Sequence, residues 1–174
     1  AGGRILQANE AFMELTGYSR ADLVGRTPDL LQGPATPEAE RERLRRALEG
    51  GYPCRVELLH YTRGGRPFWN ALDLLPFRRI DGPGACWLGL AHDVTERREH
   101  EQRVYEAAYY DDLTGLPNRA RAQVRIERAL RDAHRNRGKI ALLYLDLDHF
   151  DDLRRAYSRP ELNDLLSRIA TRFA

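Results

Sequence analysis

The chain changes character at Asp111-Asp112-Leu113-Thr114-Gly115-Leu116-Pro117-Asn118-Arg119. Asp111 and Thr114 carry side-chain oxygens that can cap a following helix. Gly115 tolerates positive φ, and Pro117 with Asn118 favours a turn before the next helical run. Because the segments on its two sides have different patterns, this stretch predicts a junction between two modules.

Downstream of the junction, a helix pattern leads into an apolar strand pattern. Residues 121–137 carry apolar side chains at helical spacing, Gly138 ends them, and the run Ile140-Ala141-Leu142-Leu143-Tyr144-Leu145 follows. A helix that feeds a buried strand indicates α/β architecture, in which ligands bind at the carboxyl ends of strands. Asp146 and Asp148 stand at that end.

These two acids have a functional and a structural interpretation. Side chains at i and i+2 of an extended segment point to the same side, so Asp146 and Asp148 could hold a hard cation such as Mg²⁺, together with nucleotide phosphates. Alternatively, they cap the helix that starts near Phe150. The residues alone leave both interpretations open.

Upstream of the junction, the pattern predicts short helices followed by an antiparallel meander. The predicted elements are a strand at 4–9, helices at 10–16, 20–24 and 38–49, and strands at 54–61, 68–77 and 85–93. Glycines at 63–66 and 81–84 supply the hairpin turns between the last three strands. This order favours an α+β arrangement with helices covering one face of a sheet.

Residues 94–110 predict a connecting helix, because they contain no Gly or Pro and place Glu and Arg at helical spacings. Val104, Ala107 and Ala108 form a narrow apolar stripe on it. This stripe either pairs across a dimer or lies on the chain's own sheet.

Composition narrows the class of protein. The 174 residues are 42% hydrophobic and 31% charged with a net charge of +2, which fits a globular chain and gives no reason to expect nucleic acid as a partner. Cys54 and Cys86 lack C-x-x-C spacing, so no metal site is expected of them and a reduced, cytoplasmic setting is favoured. No apolar run approaches the roughly 18 residues of a membrane span, and no signal peptide is expected.

The junction and the acidic strand end together resemble a known family. The patterns D-x-L-T-G-L-P-N-R and L-x-L-D-L-D-x-F are similar to the start of a GGDEF domain, the diguanylate cyclase family, which would then occupy 111–174. The resemblance implies that Asp146 binds the metal with help from the Leu147 carbonyl and that Asp148 lies beside it. It also implies that the backbone amides of His149, Phe150 and Asp151 approach the β- and γ-phosphates, since a helix N-terminus binds anions.

The same resemblance predicts a degenerate nucleotide site. Asp151 replaces the family's lysine, Arg154 replaces the asparagine that reads guanine, and Asn163 replaces the aspartate that reads guanine. Each unmade contact to a buried base costs roughly 1–3 kcal/mol. The G-G-[D/E]-E-F signature is not among the 174 residues, so no catalytic residue is expected in this stretch.

The first module resembles the PAS fold. The resemblance rests on N-x-A-F-x-x-x-T-G-Y at 9–18, on Gly25-Arg26 and on D-V-T-E-R at 93–97. The stretches G-R-T-P-D-L-L-Q-G-P at 25–34 and F-W-N at 68–70 are similar to the flavin-binding LOV branch. The implied domains are a PAS domain at 1–93, a linker helix at 94–110 and the GGDEF portion at 111–174.

Several positions depart from the LOV pattern. Pro28 stands where LOV proteins carry the photoactive cysteine, His60 and Ala91 replace two ring contacts, and Asp29 replaces an arginine near the phosphate. The pocket positions that match are Gln32, Arg45 and Asn70. A flavin adduct is therefore not expected, and haem is not expected either because the helix at 38–49 has no histidine. The sequence leaves the PAS ligand unknown, and it predicts that Phe12, Trp69 and Trp87 are core residues.

The fold class expected is an α+β PAS sensor domain, a signalling helix and the first part of an α/β GGDEF domain. The resemblances imply a sensor of cyclic-di-GMP signalling whose GGDEF module is degenerate and regulatory, with GTP or cyclic-di-GMP as a ligand. They also imply a homodimer formed through the PAS domain and the helix. Two alternatives stay open: an active diguanylate cyclase that makes cyclic-di-GMP from two GTP, and a PAS interaction module without a ligand. A longer parent could be a cyclase or a GGDEF–EAL phosphodiesterase.

Overall fold

The computed structural model describes residues 3–78 and 85–173. It divides into two compact units, Ala1–Glu99 and His100–Ala174, with the boundary inside a helix. In chain order the elements are α1 (Glu10–Thr16), α2 (Arg20–Leu23), a 3₁₀ turn (Pro28–Leu31), α3 (Glu38–Gly50), β1 (Cys54–Tyr61), β2 (Pro67–Arg78), β3 (Ala85–Asp93), α4 (Thr95–Tyr109), α5 (Arg119–Arg135), α6 (Phe150–Ala156) and α7 (Arg159–Thr171). Within the described ranges, no helix has the length and apolarity needed to cross a membrane.

Local caps fix the short helices of the first unit. Asn9 begins α1 by accepting a hydrogen bond from the Phe12 amide at 3.0 Å. Ser19 and Asp22 begin α2 with a reciprocal capping box, and the Ser19 hydroxyl holds the pKa of Asp22 below its usual range. Gly17 ends α1 in the left-handed region, at φ +72°. These signals lie within four residues of each helix end, so the predicted helices are confirmed.

The three strands form an antiparallel sheet in the order β1-β2-β3. The register places Leu58 opposite Asn70 and Leu72 opposite Ala91. One side of the sheet, here called the inner face, carries alternate residues of each strand. They are Val56, Leu58 and His60 on β1, Phe68, Asn70, Leu72 and Leu74 on β2, and Trp87, Gly89 and Ala91 on β3. Helix α3 packs against this face near β1, where Leu44, Val56 and Leu58 form a buried cluster. The outer face is the opposite side. The predicted turn at 81–84 lies outside the described residues.

In the second unit, the junction is a closed turn rather than a helix cap. The Asp111 carboxylate accepts hydrogen bonds from the Thr114 amide at 2.9 Å and from its hydroxyl at 2.7 Å, and these bonds lower the pKa of Asp111. Asn118 caps α5 instead, by accepting a hydrogen bond from the Arg121 amide. The prediction that Asp111 and Thr114 cap the helix was therefore wrong, because both lie too far before the first turn of α5.

Two predicted strands are not formed. Residues 140–145 belong to no strand, and the side chains of Leu142, Leu143, Tyr144 and Leu145 are between 67% and 92% exposed. A strand needs a neighbour for its N–H and C=O groups, and no described segment pairs with this run. Residues 4–9 likewise form no strand, although Ile5 exchanges backbone hydrogen bonds with Arg26 and Gly25 at 2.8 Å.

Candidate functional site

Two polar side chains lie inside the first unit, on neighbouring strands of the inner face. His60 is 3% exposed and Asn70 is 1% exposed, and the Asn70 amide nitrogen lies 3.1 Å from His60 Nδ1. Because an amide nitrogen can only donate, His60 Nδ1 must accept, which requires the neutral ring protonated at Nε2. Burial favours the same neutral form and lowers the pKa of His60 to about 4.

The other half of the Asn70 amide is unsatisfied. Among the described residues, Asn70 Oδ1 is the one buried side-chain oxygen or nitrogen without a hydrogen-bond partner. Leaving an acceptor unpaired inside a protein costs about 1–3 kcal/mol. The interior of this unit therefore contains one unpaired hydrogen-bond acceptor, Asn70 Oδ1. It lies beside the neutral ring of His60, which packs edge-on against Phe68.

The remaining predicted pocket residues lie on β3, on the 3₁₀ turn and its end, and on α3. Ala91 lies on the same inner face, half-buried on β3. Pro28 is exposed at the start of the 3₁₀ turn. Gln32 donates to the Asp29 carboxylate at 3.0 Å. Arg45 is exposed on α3, where Glu42 and Glu49 hold its guanidinium at 2.8 and 3.0 Å.

In the second unit, the predicted metal residues lie on the irregular segment before α6. Asp146 and Asp148 are exposed, and the Leu147 amide donates to Asp146 Oδ1 at 2.9 Å. His149 stands at the N-cap position of α6 in the left-handed region, at φ +58°, and its side chain makes no capping hydrogen bond. No group of three or more metal-ligating side chains occurs within the described ranges. Neither Asp146 nor Asp148 is the cap of α6.

The predicted base-reading residues lie on two helices. Arg154 forms an ion pair with Asp151 at 3.5 Å on α6, where Phe150 begins the helix and both charged side chains are exposed. Asn163 is half-buried on α7, which begins with the capping box of Ser158 and Glu161. The negative charge of Asp151 is therefore partly compensated by the positive charge of Arg154.

The sequence did not reveal how the first turn of α4 is fixed to the sheet. The Trp69 amide donates to Thr95 Oγ1 at 2.8 Å, and the Val94 amide donates to the Trp69 carbonyl at 2.8 Å. The Arg98 guanidinium lies 3.8 Å above the Trp69 ring and also pairs with Glu57 at 3.1 Å. Trp69 is thus a half-exposed outer-face residue, and the prediction of a core role for it was wrong.

A second cluster fixes the last turns of α4, within the second unit. Arg121 donates to the Tyr105 hydroxyl at 2.7 Å, and its guanidinium lies 4.5 Å from the Tyr110 ring. Asn118 adds a hydrogen bond from its amide nitrogen to the Ala108 carbonyl at 2.9 Å. Tyr105 and Tyr109 stand four residues apart on α4 with their ring centroids 4.9 Å apart, and this spacing could have indicated a shared face. Tyr110 and Arg121 join the cluster only through the turn that follows α4.

Comparison with protein families gives two matches along the chain. The PAS domain family matches residues 1–96, and the family described as diguanylate cyclase, GGDEF domain, matches residues 108–174. A blue-light-activated histidine kinase of Rhizobium johnstonii is 41% identical over 117 residues, which is 67% of this chain and 33% of the relative. Phototropin-1A of Oryza sativa is 36% identical over 92 residues, which is 53% of this chain and 10% of the relative. The chain thus spans a third or less of the length of these curated relatives.

Solved structures agree with the first match. The LOV domain of the blue-light photoreceptor aureochrome1, in its dark state, superposes with a TM-score of 0.52 at 30% identity, over 60% of this chain and 79% of that chain. The LOV domain of the EL346 blue-light-activated histidine kinase from Erythrobacter litoralis gives 0.50 at 32% identity, over 53% and 84%. The chain therefore belongs to the PAS domain family, with a LOV-like PAS domain followed by the first part of a GGDEF domain.

Proposed function

We propose that this chain is part of a sensory protein of cyclic-di-GMP signalling. In it, a PAS domain at 1–93 acts through the helix at 94–110 on a GGDEF module at 111–174. The observation that carries the proposal is the fixing of α4 at both ends. Its first turn is bound to the sheet through Trp69 and Glu57, and its last turns are bound to the start of α5 through Arg121. Such a helix can pass a change at the sheet to the following module.

We further propose that the GGDEF module is regulatory rather than catalytic. Metal and phosphate recognition needs the Asp146 carboxylate and backbone amides near His149, and both are retained. Mg²⁺ held there would neutralise the charge of the nucleotide phosphates. Base recognition needs side chains that Arg154 and Asn163 have replaced. The retained Asp146 favours the alternative of an active diguanylate cyclase. An active cyclase would also have to recognise guanine tightly.

Calorimetry with GTP and with ATP, each with and without Mg²⁺, tests this on the full-length parent protein. We expect weak, Mg²⁺-dependent binding with little preference for guanine, and we expect the Asp146→Asn variant to lose the Mg²⁺ dependence. Tight GTP binding that strongly discriminates against ATP, or conversion of GTP into cyclic-di-GMP at ordinary enzyme rates, would contradict a degenerate module.

For the PAS domain, the residues present do not fit a flavin. Pro28 supplies no thiol for an adduct, and the Asn70 amide nitrogen faces His60 Nδ1, which leaves only Asn70 Oδ1 for a ligand. At the phosphate end, Arg45 is paired with two glutamates of its own helix, and Asp29 adds a negative charge. We therefore propose that this PAS domain responds to its signal without flavin photochemistry.

An absorption spectrum of the purified chain is the test. We expect no flavin bands, and we expect the Pro28→Cys variant to stay colourless as well, because the thiol alone does not restore the ring and phosphate contacts. A yellow protein that bleaches in blue light and recovers in the dark would refute the proposal.

We also propose that the protein acts as a homodimer joined through the PAS domain and α4. The stripe of Val104, Ala107 and Ala108 is exposed on α4, which has no buried residue. Sedimentation of the unmodified chain and of the Val104→Glu variant measures how much α4 contributes to dimerisation. An unmodified chain that is a monomer at every concentration would contradict the proposed homodimer.

A further inference from the structure

His60 and Asn70 form a buried polar pair whose hydrogen bonding is incomplete. Their side chains are 3% and 1% exposed, and they lie on neighbouring strands of the inner face. Their hydrogen bond runs from the Asn70 amide nitrogen to His60 Nδ1 over 3.1 Å. Asn70 Oδ1 then has no partner, so the carbonyl half of the amide is left unused in the interior.

The surroundings of His60 supply no charge that could fix its protonation state. Burial is the sole influence on the pKa of this ring among the described residues. On the sheet, His60 meets Asn70 and the edge-on Phe68 ring, whose centroid lies 6.0 Å away. The side chains that the three helices and the 3₁₀ turn bury are uncharged and do not titrate; they are Thr16, Leu23, Leu31, Leu44 and Ala47. Asn70 is therefore the polar group that must respond if the ring changes its charge.

A proton on the ring reverses what His60 requires of Asn70. The neutral ring accepts a hydrogen bond at Nδ1, and the amide nitrogen supplies the donor. The charged ring donates from both nitrogens, so the amide nitrogen would face a second donor across 3.1 Å. Half a turn of the amide about its Cβ–Cγ bond exchanges nitrogen and oxygen and brings Oδ1 against the Nδ1 hydrogen. The oxygen that has no partner beside the neutral ring gains one beside the charged ring.

We propose that His60 and Asn70 form a proton-operated switch, in which a proton on the ring turns the Asn70 amide over. Hydrogen bonds to a charged group are roughly twice as strong as those between neutral groups, so the turned amide offsets part of the cost of the buried charge. Asn70 follows Trp69 and lies opposite Asp93, and both of these residues hold the first turn of α4 through Thr95. The switch thus lies where the sheet holds the signalling helix. It rests on the proposed sensory function and names the proton as one input of the PAS domain.

Nuclear magnetic resonance of the nitrogen-15-labelled 174-residue chain tests the switch directly. At pH 7.5 we expect a His60 ring protonated only at Nε2, with nuclear Overhauser contacts between its ring hydrogens and the Asn70 amide hydrogens. As the pH falls towards 4, both ring nitrogens should become protonated, and these contacts should disappear along the same titration curve. The Asn118 amide, whose nitrogen and oxygen both have partners, is the internal control and should keep its contacts.

Three results of this experiment would overturn the switch. The first is a hydrogen on His60 Nδ1 at pH 7.5, since the amide would then already present its oxygen. The second is persistence of the Asn70 contacts beside a charged ring. The third is unfolding of the chain before His60 takes up a proton, because the fold then does not accommodate the charged state.

Removing the amide gives an independent readout with a different sign for each case. An amide that keeps its nitrogen against Nδ1 favours the neutral ring, so Asn70→Leu would raise the pKa of His60. An amide that turns over binds the charged ring more strongly than the neutral one, so Asn70→Leu should lower this pKa by about 0.5 or more. Asn136→Leu, at an exposed asparagine of the other unit, should leave it unchanged. A raised or unchanged pKa in Asn70→Leu would overturn the switch.

These experiments separate the switch from the proposed function on which it builds. Neither of them contains a nucleotide, so a negative result removes the switch and leaves the proposed role in cyclic-di-GMP signalling standing. Calorimetry that contradicts the proposed role of the GGDEF module would leave the titration of His60 and the turning of Asn70 unaffected.

Discussion

Lowering the pH from 7.5 to 5.5 is expected to destabilise the PAS domain through His60. Burial lowers the pKa of this histidine from its ordinary 6.5 to about 4 in the folded chain. Since the folded-state pKa lies below the unfolded value, the unfolded chain binds more protons as the pH falls. The stabilisation from keeping His60 neutral is therefore complete above pH 6.5 and is lost progressively as the pH falls towards 4.

The size of the effect follows from the shift. One pKa unit corresponds to about 1.4 kcal/mol, so the shift from 6.5 to about 4 corresponds to about 3 kcal/mol. Between pH 7.5 and 5.5, linkage predicts a loss of about 1 kcal/mol in the free energy of unfolding. Asp22 and Glu42 do not titrate in this window, because a hydrogen bond from Ser19 and one from Arg45 lower their pKa values.

Urea denaturation followed by tryptophan fluorescence is the assay. The chain has two tryptophans, Trp69 and Trp87, and both lie in the first unit, so the signal reports the PAS domain. The His60→Asn variant has no titratable group at this position and should show a flat profile between pH 5.5 and 7.5. If that variant loses as much stability as the wild type over this window, the assignment to His60 is refuted.

Two further predictions concern single contacts. Gly33→Ala should destabilise the PAS domain by about 1–3 kcal/mol in the same assay, because a Cβ there would overlap the Tyr61 ring. Gly64→Ala should lower the stability much less, since the nearest atom to the added Cβ is 3.9 Å away. Equal losses of stability in the two variants would contradict the overlap at Gly33. Arg121→Gln should speed amide hydrogen exchange at the start of α5 by up to about 30-fold, because it removes a hydrogen bond and a cation–π contact worth roughly 1 kcal/mol each. Arg125→Gln, which changes an exposed arginine of the same helix, should leave this exchange rate unchanged. If the exchange rate is unchanged in both variants, Arg121 does not fix the turn.

The sequence by itself determined the elements whose signals are local. Ser19 and Asp22 form their capping box because the two side chains lie three residues apart, and Asn118 caps α5 for the same kind of reason. The bounds of β1 and β3 follow from apolar patterning between turn residues, and both were predicted at the residues where they occur. The motifs at 9–18, 25–26 and 93–97 placed the PAS resemblance, and the junction at 111–119 together with the acidic run ending in Asp146 and Asp148 placed the GGDEF resemblance.

The tertiary structure decided everything that depends on pairing between distant residues. The hydrogen bond of His60 with Asn70 exists because the register of two strands sets the rings and amides side by side, and no local pattern contains that register. The run at 140–145 has a strand's composition but no neighbour to bond with, so it forms no strand. On β2, Leu74 and Leu75 look alike in the sequence, yet Leu74 packs on the core and Leu75 is 44% exposed. Burial is a property of what lies against each face of a sheet, and only the assembled fold decides which face is covered.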